Sequence, residues 1–374
     1  MRLIKALYGT VEAARLWYEL ITKVLLEYGF VPSKYERCVL NKTTASGAML
    51  TVVLYVDDLL VTCKSERAII QLKEYLESKF PEVSYHCGDI IEYVGMTIDF
   101  ASRPGAAVIT MKQITEDIIN TSGVTSSLAT PATADLFVVT ESASLSQPRE
   151  DYFRKYVAKA LYLAKRARPD VLLPVAFLTT RAQVCTEEDM TKLVRVLGYI
   201  RGTPERGIAV EFGDRPRLRG YIDAAYGIHD NDGKSHTGGS LVFGKGGPLY
   251  VTSVKQAIVT KSSTESELVA FSDVSSEVVC MRNFAIGQGY PVEPAIVYQD
   301  NMSTKHLIDN GGPCSKRSRH IEIRHFWVKE KIADGSIEVQ RCPTEVMWAN
   351  VLTKPVQGAQ FITERQGLTN WDAQ

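Results

Sequence analysis

The segment LRGYIDAAYG at residues 218–227, followed by GGSLVFGKG at 238–246 and PLYVTSVKQ at 248–256, decides the fold of the C-terminal half. All three segments are rich in the β-branched and aromatic residues that favour strands. Turn-forming residues in DNDGKSHTGG and KGGP join them. The pattern predicts three consecutive antiparallel strands.

Helices and strands alternate after this segment. Ser262 and Glu265 form a capping-box pattern ahead of a long helix. A strand (AIVYQD, 295–300), a short helix (STKHLIDN, 303–310), a strand (SIEVQRC, 336–342) and a C-terminal helix follow. This order predicts an α/β (α+β) domain, with a mixed sheet flanked by helices.

The N-terminal part also mixes helices and strands. Apolar residues at helical spacing from Trp17 to Tyr28 predict a helix that Gly29 ends, and a second helix is expected at 66–79. The runs LTVVLYV and LLVTC predict a hairpin with Asp57-Asp58 at or near its tip. Five regions follow from these patterns: a mixed region 1–120, a Ser/Thr-rich linker 121–150, a helical region 151–212, the mixed-sheet domain 213–345, and a C-terminal helix and tail 346–374.

Composition limits the class of protein. The 374 residues are 45% hydrophobic and 23% charged, values typical of a folded globular protein and not of a disordered one. The longest apolar stretch, from Met49, is interrupted by two aspartates, so no membrane span is expected. Seven scattered cysteines and no signal-peptide pattern predict reduced thiols in an intracellular protein, cytoplasmic or nuclear.

Three acidic residues of the C-terminal domain lie where metal chemistry could use them. Asp223 is in the first strand, Glu267 in the first turns of the long helix, and Asp300 at the end of the fourth strand. Carboxylates that converge at one end of a sheet suit Mg²⁺, because this ion prefers oxygen ligands. The alternative is that the aspartates end strands and the glutamate complements the helix dipole.

The adjacent Asp57 and Asp58 allow the same two interpretations. Aspartates are common in turns, so a solvated hairpin tip is one of them. The other is a cation site, because placing two carboxylates in so apolar a hairpin is costly unless a cation or water compensates their charge.

Eight or more segments resemble, in order, those of a copia-type LTR retrotransposon polyprotein, in its reverse transcriptase and ribonuclease H portion. The N-terminal ones are KALYGTVEAARLWYE (5–19, with Ala14 where proline is usual), LYVDDLLV (54–61), YVGMTI (93–98), ALYLAKRARPDV (160–171) and LGYIRGTPERG (197–207). The C-terminal ones are GYIDAAYG (220–227, with Ala225-Tyr226 replacing Asp-Trp), DGKSHTGG (232–239), KQAIVTKSSTESELVAFSD (255–273), YQDNMST (298–304), RHIEIRHFWVKE (319–330) and CPTEVMWANVLTKP (342–355).

The resemblance implies a role for each matching residue. Asp223, Glu267 and Asp300 would hold Mg²⁺ or Mn²⁺ to cut the RNA strand of an RNA–DNA hybrid, with Glu267 preferred over Glu265. Asp57 and Asp58 would be metal-binding aspartates of the polymerase. The implied fold is a partial reverse transcriptase palm and thumb, a helical connection and a ribonuclease-H-like domain. The implied partners are RNA–DNA hybrids, DNA, RNA and other products of the same polyprotein.

Two departures from the family pattern bear on activity. Asn350 stands where the family has an aspartate before its LTK motif, and asparagine offers an oxygen to a metal but no negative charge. The family's first polymerase aspartate lies upstream of the KALYG motif, near which this sequence starts. Polymerase activity is therefore expected to be lost by truncation.

Positive charge is segregated along the chain, although 43 Lys and Arg balance 43 Asp and Glu. Residues 153–206 contain 11 basic and 5 acidic residues, and residues 313–331 contain 6 and 2. Such segments could track a phosphate backbone, or be solvated helix faces. The candidate nucleic-acid-binding residues are Lys316, Arg317, Arg319, His320 and Arg324, of which His320 could equally be a packed histidine.

Two functions are compatible with these patterns. The first is a metal-dependent ribonuclease H attached to a polymerase remnant. The second is a non-catalytic nucleic-acid-binding protein or a decaying retroelement remnant, which Asn350 and the expected loss of the upstream aspartate favour.

Overall fold

The structure is a computed structural model that describes residues 7, 9–213, 216–310 and 319–372, with the backbone alone for 309, 310, 319–323 and 325. The chain divides into two compact units. The first unit comprises Met1–Val94 and Asn283–Tyr290, and the second comprises Gly95–Arg282 and Pro291–Gln374.

The first unit packs helices against a small antiparallel sheet. Its elements are α1 (Val11–Glu27), β1 (Val31–Pro32), β2 (Val39–Thr43), β3 (Met49–Tyr55), β4 (Asp58–Thr62), α2 (Glu66–Lys79) and β5 (Ile90–Tyr93). The sheet order is β1-β2-β3-β4. Ser65 caps α2 by accepting a hydrogen bond from the amide of Ala68. Leu25, Leu50 and Leu72 are buried in the core between the helices and the sheet. The predicted hairpin and the helix at 66–79 are confirmed.

The second unit begins with a mixed helical layer. Its elements are β6 (Met96–Asp99), β7 (Ala106–Thr110), α3 (Lys112–Thr121), α4 (Gln147–Arg166), α5 (Leu172–Arg181), α6 (Glu187–Gly202) and β8 (Ile208–Glu211). Strands β6, β7 and β8 pair antiparallel. Between α3 and α4 the chain forms no helix or strand, yet Leu136 and Phe137 in that segment are buried in the core of this unit.

Two motifs of the helical layer meet at a buried ion pair. Arg168 is fully buried, and its Nε and Nη2 donate to the two oxygens of Asp170 at 2.9 Å. The hydroxyl of Tyr199 donates to Asp170 Oδ2 at 2.6 Å. Because a buried charge without a partner is costly, this network joins α6 to the segment after α4. The segments ALYLAKRARPDV and LGYIRGTPERG are therefore tied together.

The second unit continues with the mixed sheet that the sequence predicts. Its elements are β9 (Leu218–His229), β10 (Lys234–Phe243), β11 (Pro248–Lys255), α7 (Ser263–Gly287, of which residues 283–287 are counted with the first unit), β12 (Ala295–Gln299), α8 (Met302–Asn310), α9 (Arg319–Ala333), β13 (Ile337–Arg341) and α10 (Gly358–Thr369). The sheet order is β11-β10-β9-β12-β13. Strands β9, β10 and β11 are antiparallel, while β12 runs parallel to both β9 and β13. The predicted mixed α/β fold class is confirmed.

Two glycines of β10 allow other elements to lie directly on the sheet. A Cβ at Gly238 would lie 2.6 Å from Thr353 Cγ2 and 2.9 Å from the carbonyl oxygen of Ala349. A Cβ at Gly239 would lie 2.8 Å from Val274 of α7. Because Gly238 pairs with Asp223 in the sheet, the missing side chain leaves room for residues 349–353 beside that aspartate.

Among the described residues, every helix is too short or too polar to cross a membrane. The six cysteines that the structure describes are free thiols. The boundaries predicted for the five regions stay predictions.

Candidate metal centre

Three carboxylates from three separate elements converge in the second unit. Asp223 lies within β9, Glu267 in the first turns of α7, and Asp300 directly after β12. A carboxylate oxygen from each residue lies within 4.8 Å of the other two. Tyr221 pairs with Tyr298 in the parallel ladder of β9 and β12, so the residues two positions further along, both aspartates, face the same side of the sheet. The structure thus brings together all three predicted acids.

Burial makes this cluster electrostatically unfavourable by itself. Asp223 is 1% exposed and Glu267 5% exposed. Burial raises the pKa of Glu267 well above its usual range, and the negative charges of Asp223 and Asp300 add to the rise. Burial likewise raises the pKa of Asp223. Crowded, buried carboxylates of this kind need a compensating positive charge.

Polar side chains hold each carboxylate in place. Thr353 Oγ1 donates a hydrogen bond to Asp223 Oδ2. Gln299 Nε2 donates to Glu267 Oε2 at 3.3 Å, and Thr344 Oγ1 donates to Asp300 Oδ2 at 3.2 Å. Since hydrogen bonds of this kind restrict rotamers, the three acids are orientated before any ligand binds.

Asn350 and Lys354 lie beside Asp223. Lys354 Nζ is 3.1 Å from Asp223 Oδ2 and 3.3 Å from Asn350 Oδ1. Asn350 Nδ2 donates to the carbonyl oxygen of Thr344 at 3.0 Å. Burial favours the neutral amine, yet the negative charges of Asp223 and the two other acids outweigh burial and raise the pKa of Lys354. The ammonium form therefore lies next to the cluster.

A hydrogen-bonded chain anchors the segment that carries Asn350 and Lys354. His236 Nε2 lies 2.8 Å from Ser253 Oγ, and this hydroxyl donates to the carbonyl oxygen of Leu352 at 2.7 Å. Because the serine uses its hydrogen on Leu352, we assign the hydrogen of the first contact to His236 Nε2. Burial lowers the pKa of His236 to about 3, so it is neutral at physiological pH.

The donor set fits a divalent cation. All three clustered side chains offer oxygen, which Mg²⁺ and Mn²⁺ prefer, and together they carry three negative charges when ionised. Among the described residues, this is the one group of three or more His, Cys, Asp or Glu side chains close enough to share an ion. Asp223, Glu267 and Asp300 are therefore the residues that would hold the metal.

The Asp57–Asp58 pair of the first unit has a different environment. Both residues are exposed, and they follow Val56 at the turn between β3 and β4, where Tyr55 pairs with Asp58. Trp17 Nε1 donates to the carbonyl oxygen of Val56 at 2.6 Å. Within the described part of the chain, no third acid joins this pair in a metal-sized group.

The basic candidates are only partly described. Lys316 and Arg317 lie outside the described residues, as do the side chains of Arg319 and His320 in α9. Arg324 forms an ion pair with Asp273 of α7. In the segment 153–206, six of the eleven basic residues pair with acids: Arg154, Lys159, Arg168, Arg181, Lys192 and Arg206. Much of the charge expected to track phosphates is thus balanced within the fold, and phosphate binding stays a prediction.

Sequence reasoning missed several residues of the site. Lys354 and Thr353 lie in the quoted LTK segment, four and three residues after Asn350, so their spacing was a usable signal. Glu364 of α10 had no such signal. It is 1% exposed, its Oε2 has no hydrogen-bond partner among the described residues, and burial raises its pKa.

The chain is similar in sequence to several known proteins. Residues 1–134 match the family described as reverse transcriptase (RNA-dependent DNA polymerase). The chain is 28% identical over 364 residues to the retrovirus-related Pol polyprotein from transposon RE2 of Arabidopsis thaliana, covering 96% of this chain and 24% of that protein. It is 26% identical over 368 residues to the corresponding polyprotein from transposon TNT 1-94 of Nicotiana tabacum, covering 96% of this chain and 27% of that protein.

Two solved structures are also similar. RNase H1 from Halobacterium salinarum NRC-1 is 15% identical with a TM-score of 0.25, covering 36% of this chain and 90% of that one. The protease-reverse transcriptase of prototype foamy virus is 13% identical with a TM-score of 0.27, covering 90% of this chain and 38% of that one. Because these TM-scores are low, the assignment of the fold rests on the strand order described above and not on these two structures.

The chain spans about a quarter of the length of the polyproteins it matches. It is a relative of retrotransposon Pol polyproteins over nearly its whole length, and the resemblance expected from its motifs is confirmed.

Proposed function

We propose that this chain hydrolyses the RNA strand of RNA–DNA hybrids with the help of Mg²⁺ or Mn²⁺, using the mixed-sheet domain. The observation that carries the proposal is the convergence of Asp223, Glu267 and Asp300 within 4.8 Å. Placing three acids together, two of them buried, has a large electrostatic cost that a folded protein avoids unless a cation compensates it. The order of elements and the family motifs around each acid support the same reaction.

The residues around the cluster have distinct roles in this proposal. A bound divalent cation would supply a Lewis acid and lower the pKa of a water molecule. Thr353, Gln299 and Thr344 orientate the three carboxylates through the hydrogen bonds described above. The half-buried position of Asp300 leaves one side of the cluster open to a phosphodiester.

The polymerase motif does not add a second activity in this proposal. Asp57 and Asp58 are exposed, and the described residues place no third acid with them. A nucleotidyl-transfer site needs carboxylates that hold two ions about 4 Å apart. We therefore propose that the described residues do not support DNA synthesis by themselves.

The experiment is a cleavage assay on a labelled RNA–DNA hybrid with purified protein and Mn²⁺ or Mg²⁺. We expect metal-dependent cleavage of the RNA strand, with single-stranded RNA and duplex DNA left intact. Asp300→Asn is expected to be inactive, and Asp232→Asn, which removes an acid that pairs with Lys255 at 2.8 Å instead, serves as the matched control and is expected to leave cleavage unchanged. Absence of metal-dependent cleavage by the wild-type protein would refute the proposal.

A second candidate function is nucleic-acid binding without hydrolysis. The neutral Asn350 and the ion pair between Lys354 and Asp223 favour it, because both reduce the attraction of the cluster for a divalent cation. Hybrid binding that persists in EDTA and in Asp223→Asn, together with no cleavage by the wild-type protein, would support this candidate.

A further inference from the structure

Lys354 presents its ammonium to Asp223, one acid of the cluster, and to Asn350. Its Nζ is 3.1 Å from Asp223 Oδ2, 3.3 Å from Asp223 Oδ1 and 3.3 Å from Asn350 Oδ1. An ammonium with three oxygen neighbours at these distances replaces much of the coordination that a metal ion would offer them. The backbone amide of Lys354 also donates to the carbonyl oxygen of Asn350 at 2.8 Å, which fixes the short segment that presents the side chain.

The amide of Asn350 is suited to holding an ammonium. Its Nδ2 donates to the carbonyl oxygen of Thr344 at 3.0 Å, so its Oδ1 faces Lys354. An aspartate at this position could not donate to Thr344, and its second oxygen would face a carbonyl oxygen. Asparagine therefore satisfies both neighbours, and its neutrality matches a singly charged cation better than a doubly charged one.

The charges of the cluster lead to the same conclusion. Three ionised carboxylates carry a charge of −3, and the Lys354 ammonium reduces this charge to −2. One divalent cation neutralises the remainder, whereas two would leave an excess of +2 in a buried site. Excess buried charge of either sign is disfavoured.

We propose that the ammonium of Lys354 is a built-in cation of this centre, seated between Asp223 and Asn350, so that the chain binds one divalent cation and not two. This inference rests on the proposed metal-dependent function. It names Lys354 as a residue that sets the metal content of the site. The side chain is 45% exposed, so it can be replaced without opening the core.

The test counts bound Mn²⁺ by isothermal titration calorimetry and by the electron paramagnetic resonance signal of free Mn²⁺, on the full chain. We expect one Mn²⁺ per wild-type chain. The double variant Lys354→Gln/Asn350→Asp is expected to bind two. Lys354→Gln alone is expected to bind the first Mn²⁺ about tenfold more tightly, because the repulsion from the ammonium is gone.

Matched variants separate charge from folding. Lys354→Arg keeps a cation and is expected to retain one Mn²⁺ at wild-type affinity. Lys255→Gln removes a lysine that pairs with Asp232 at 2.8 Å, and it is expected to leave Mn²⁺ binding unchanged. Circular dichroism checks that each variant folds. If the double variant does not fold, the change in Mn²⁺ affinity of Lys354→Gln alone tests the role of Lys354.

The outcomes distinguish this inference from the proposed function. Two Mn²⁺ per wild-type chain together with hybrid cleavage would overturn the role of Lys354 and leave the proposed function standing. Unchanged affinity and a single Mn²⁺ in both Lys354→Gln variants would overturn it as well. No Mn²⁺ bound by the wild-type chain would refute both.

Discussion

The acids of the two units differ in how they are assembled. Asp57 and Asp58 are neighbours in sequence, lie at a hairpin turn and are exposed. Asp223 comes from a strand, Glu267 from a helix and Asp300 from the position directly after a second strand, and two of the three are almost fully buried. Among the residues described, only the second group is a set of three acids close enough to share one ion. Two acids that are adjacent in sequence are thus a weaker indication of a metal site than three acids that a sheet brings together from distant segments.

The hairpin turn of the first unit, which carries Asp57 and Asp58, has a strained backbone. Val56 has a φ of 53°, a left-handed conformation that β-branched residues rarely adopt. Trp17 Nε1 donates to its carbonyl oxygen. Strain of this kind persists where surrounding contacts enforce it, so the turn is held in shape by α1 as well as by its own strands.

The largest effect should come from exchanging acids for amides in the two groups. Asp223→Asn is expected to lower the rate of hybrid cleavage by about 10³-fold or more, since it removes a carboxylate that would hold the cation. Asp58→Asn is expected to leave the same rate unchanged. Single-turnover cleavage of a labelled hybrid measures both. If both variants lose the same factor in cleavage rate, the buried and the exposed acids do not differ in function as proposed.

A smaller effect is expected on stability in the absence of metal. The folded-state pKa of Glu267 lies above its unfolded value. Its contribution to stability is therefore full below the unfolded pKa, near 4.5, and is lost as the pH rises through the folded pKa. Glu267→Gln is expected to remove this loss and to raise the free energy of unfolding at pH 8 by about 1–2 kcal/mol.

Urea unfolding in EDTA at pH 5 and pH 8 checks this prediction. Asp58→Asn, an exchange at an exposed position, is expected to change the free energy of unfolding by less than about 0.5 kcal/mol at either pH. If Glu267→Gln is less stable than the wild-type chain at pH 8, burial does not destabilise the ionised Glu267 carboxylate. The electrostatic difference drawn between the buried and the exposed acids would then be wrong.

The smallest effect concerns the turn of the first unit. Val56→Gly should relieve the left-handed strain, while its greater freedom in the unfolded chain offsets part of the gain. We expect the free energy of unfolding to rise by about 0.5 kcal/mol. Urea unfolding followed by tryptophan fluorescence and circular dichroism measures it, with Val53→Gly in the adjacent strand as a control that should destabilise. A lower free energy of unfolding in Val56→Gly would show that packing of the Val56 side chain stabilises the fold by more than the left-handed strain destabilises it.

Local patterns predicted much of the secondary structure. The helix at 66–79 was predicted because its apolar residues recur at helical spacing and Pro81 follows it. The capping pattern of Ser262 and Glu265 is present in part. Ser262 Oγ accepts from the amide of Glu265, but the glutamate side chain accepts from the amide of Lys261 and not from that of Ser262. Details of this kind depend on the path of the preceding loop, which short-range spacing does not determine.

The candidate metal centre was only partly predictable. Strand ends and family motifs identified Asp223, Glu267 and Asp300, because each lies inside a recognisable local pattern. The same reasoning could not assign a role to Lys354, since its contact with Asp223 spans 131 residues of the chain. It also could not find Glu364, whose burial results from how α10 packs.

The sequence by itself determined the order of helices and strands, the family resemblance and the identity of the three acids, because these depend on short-range patterns of side chains. Only the tertiary structure decided that those acids meet, that Asp57 and Asp58 stay exposed, and that the Lys354 ammonium lies between Asp223 and Asn350. The parallel pairing of β12 with β9 and the space above Gly238 bring these residues together. Both are packing relations between distant segments, so their energies appear only when the chain has folded.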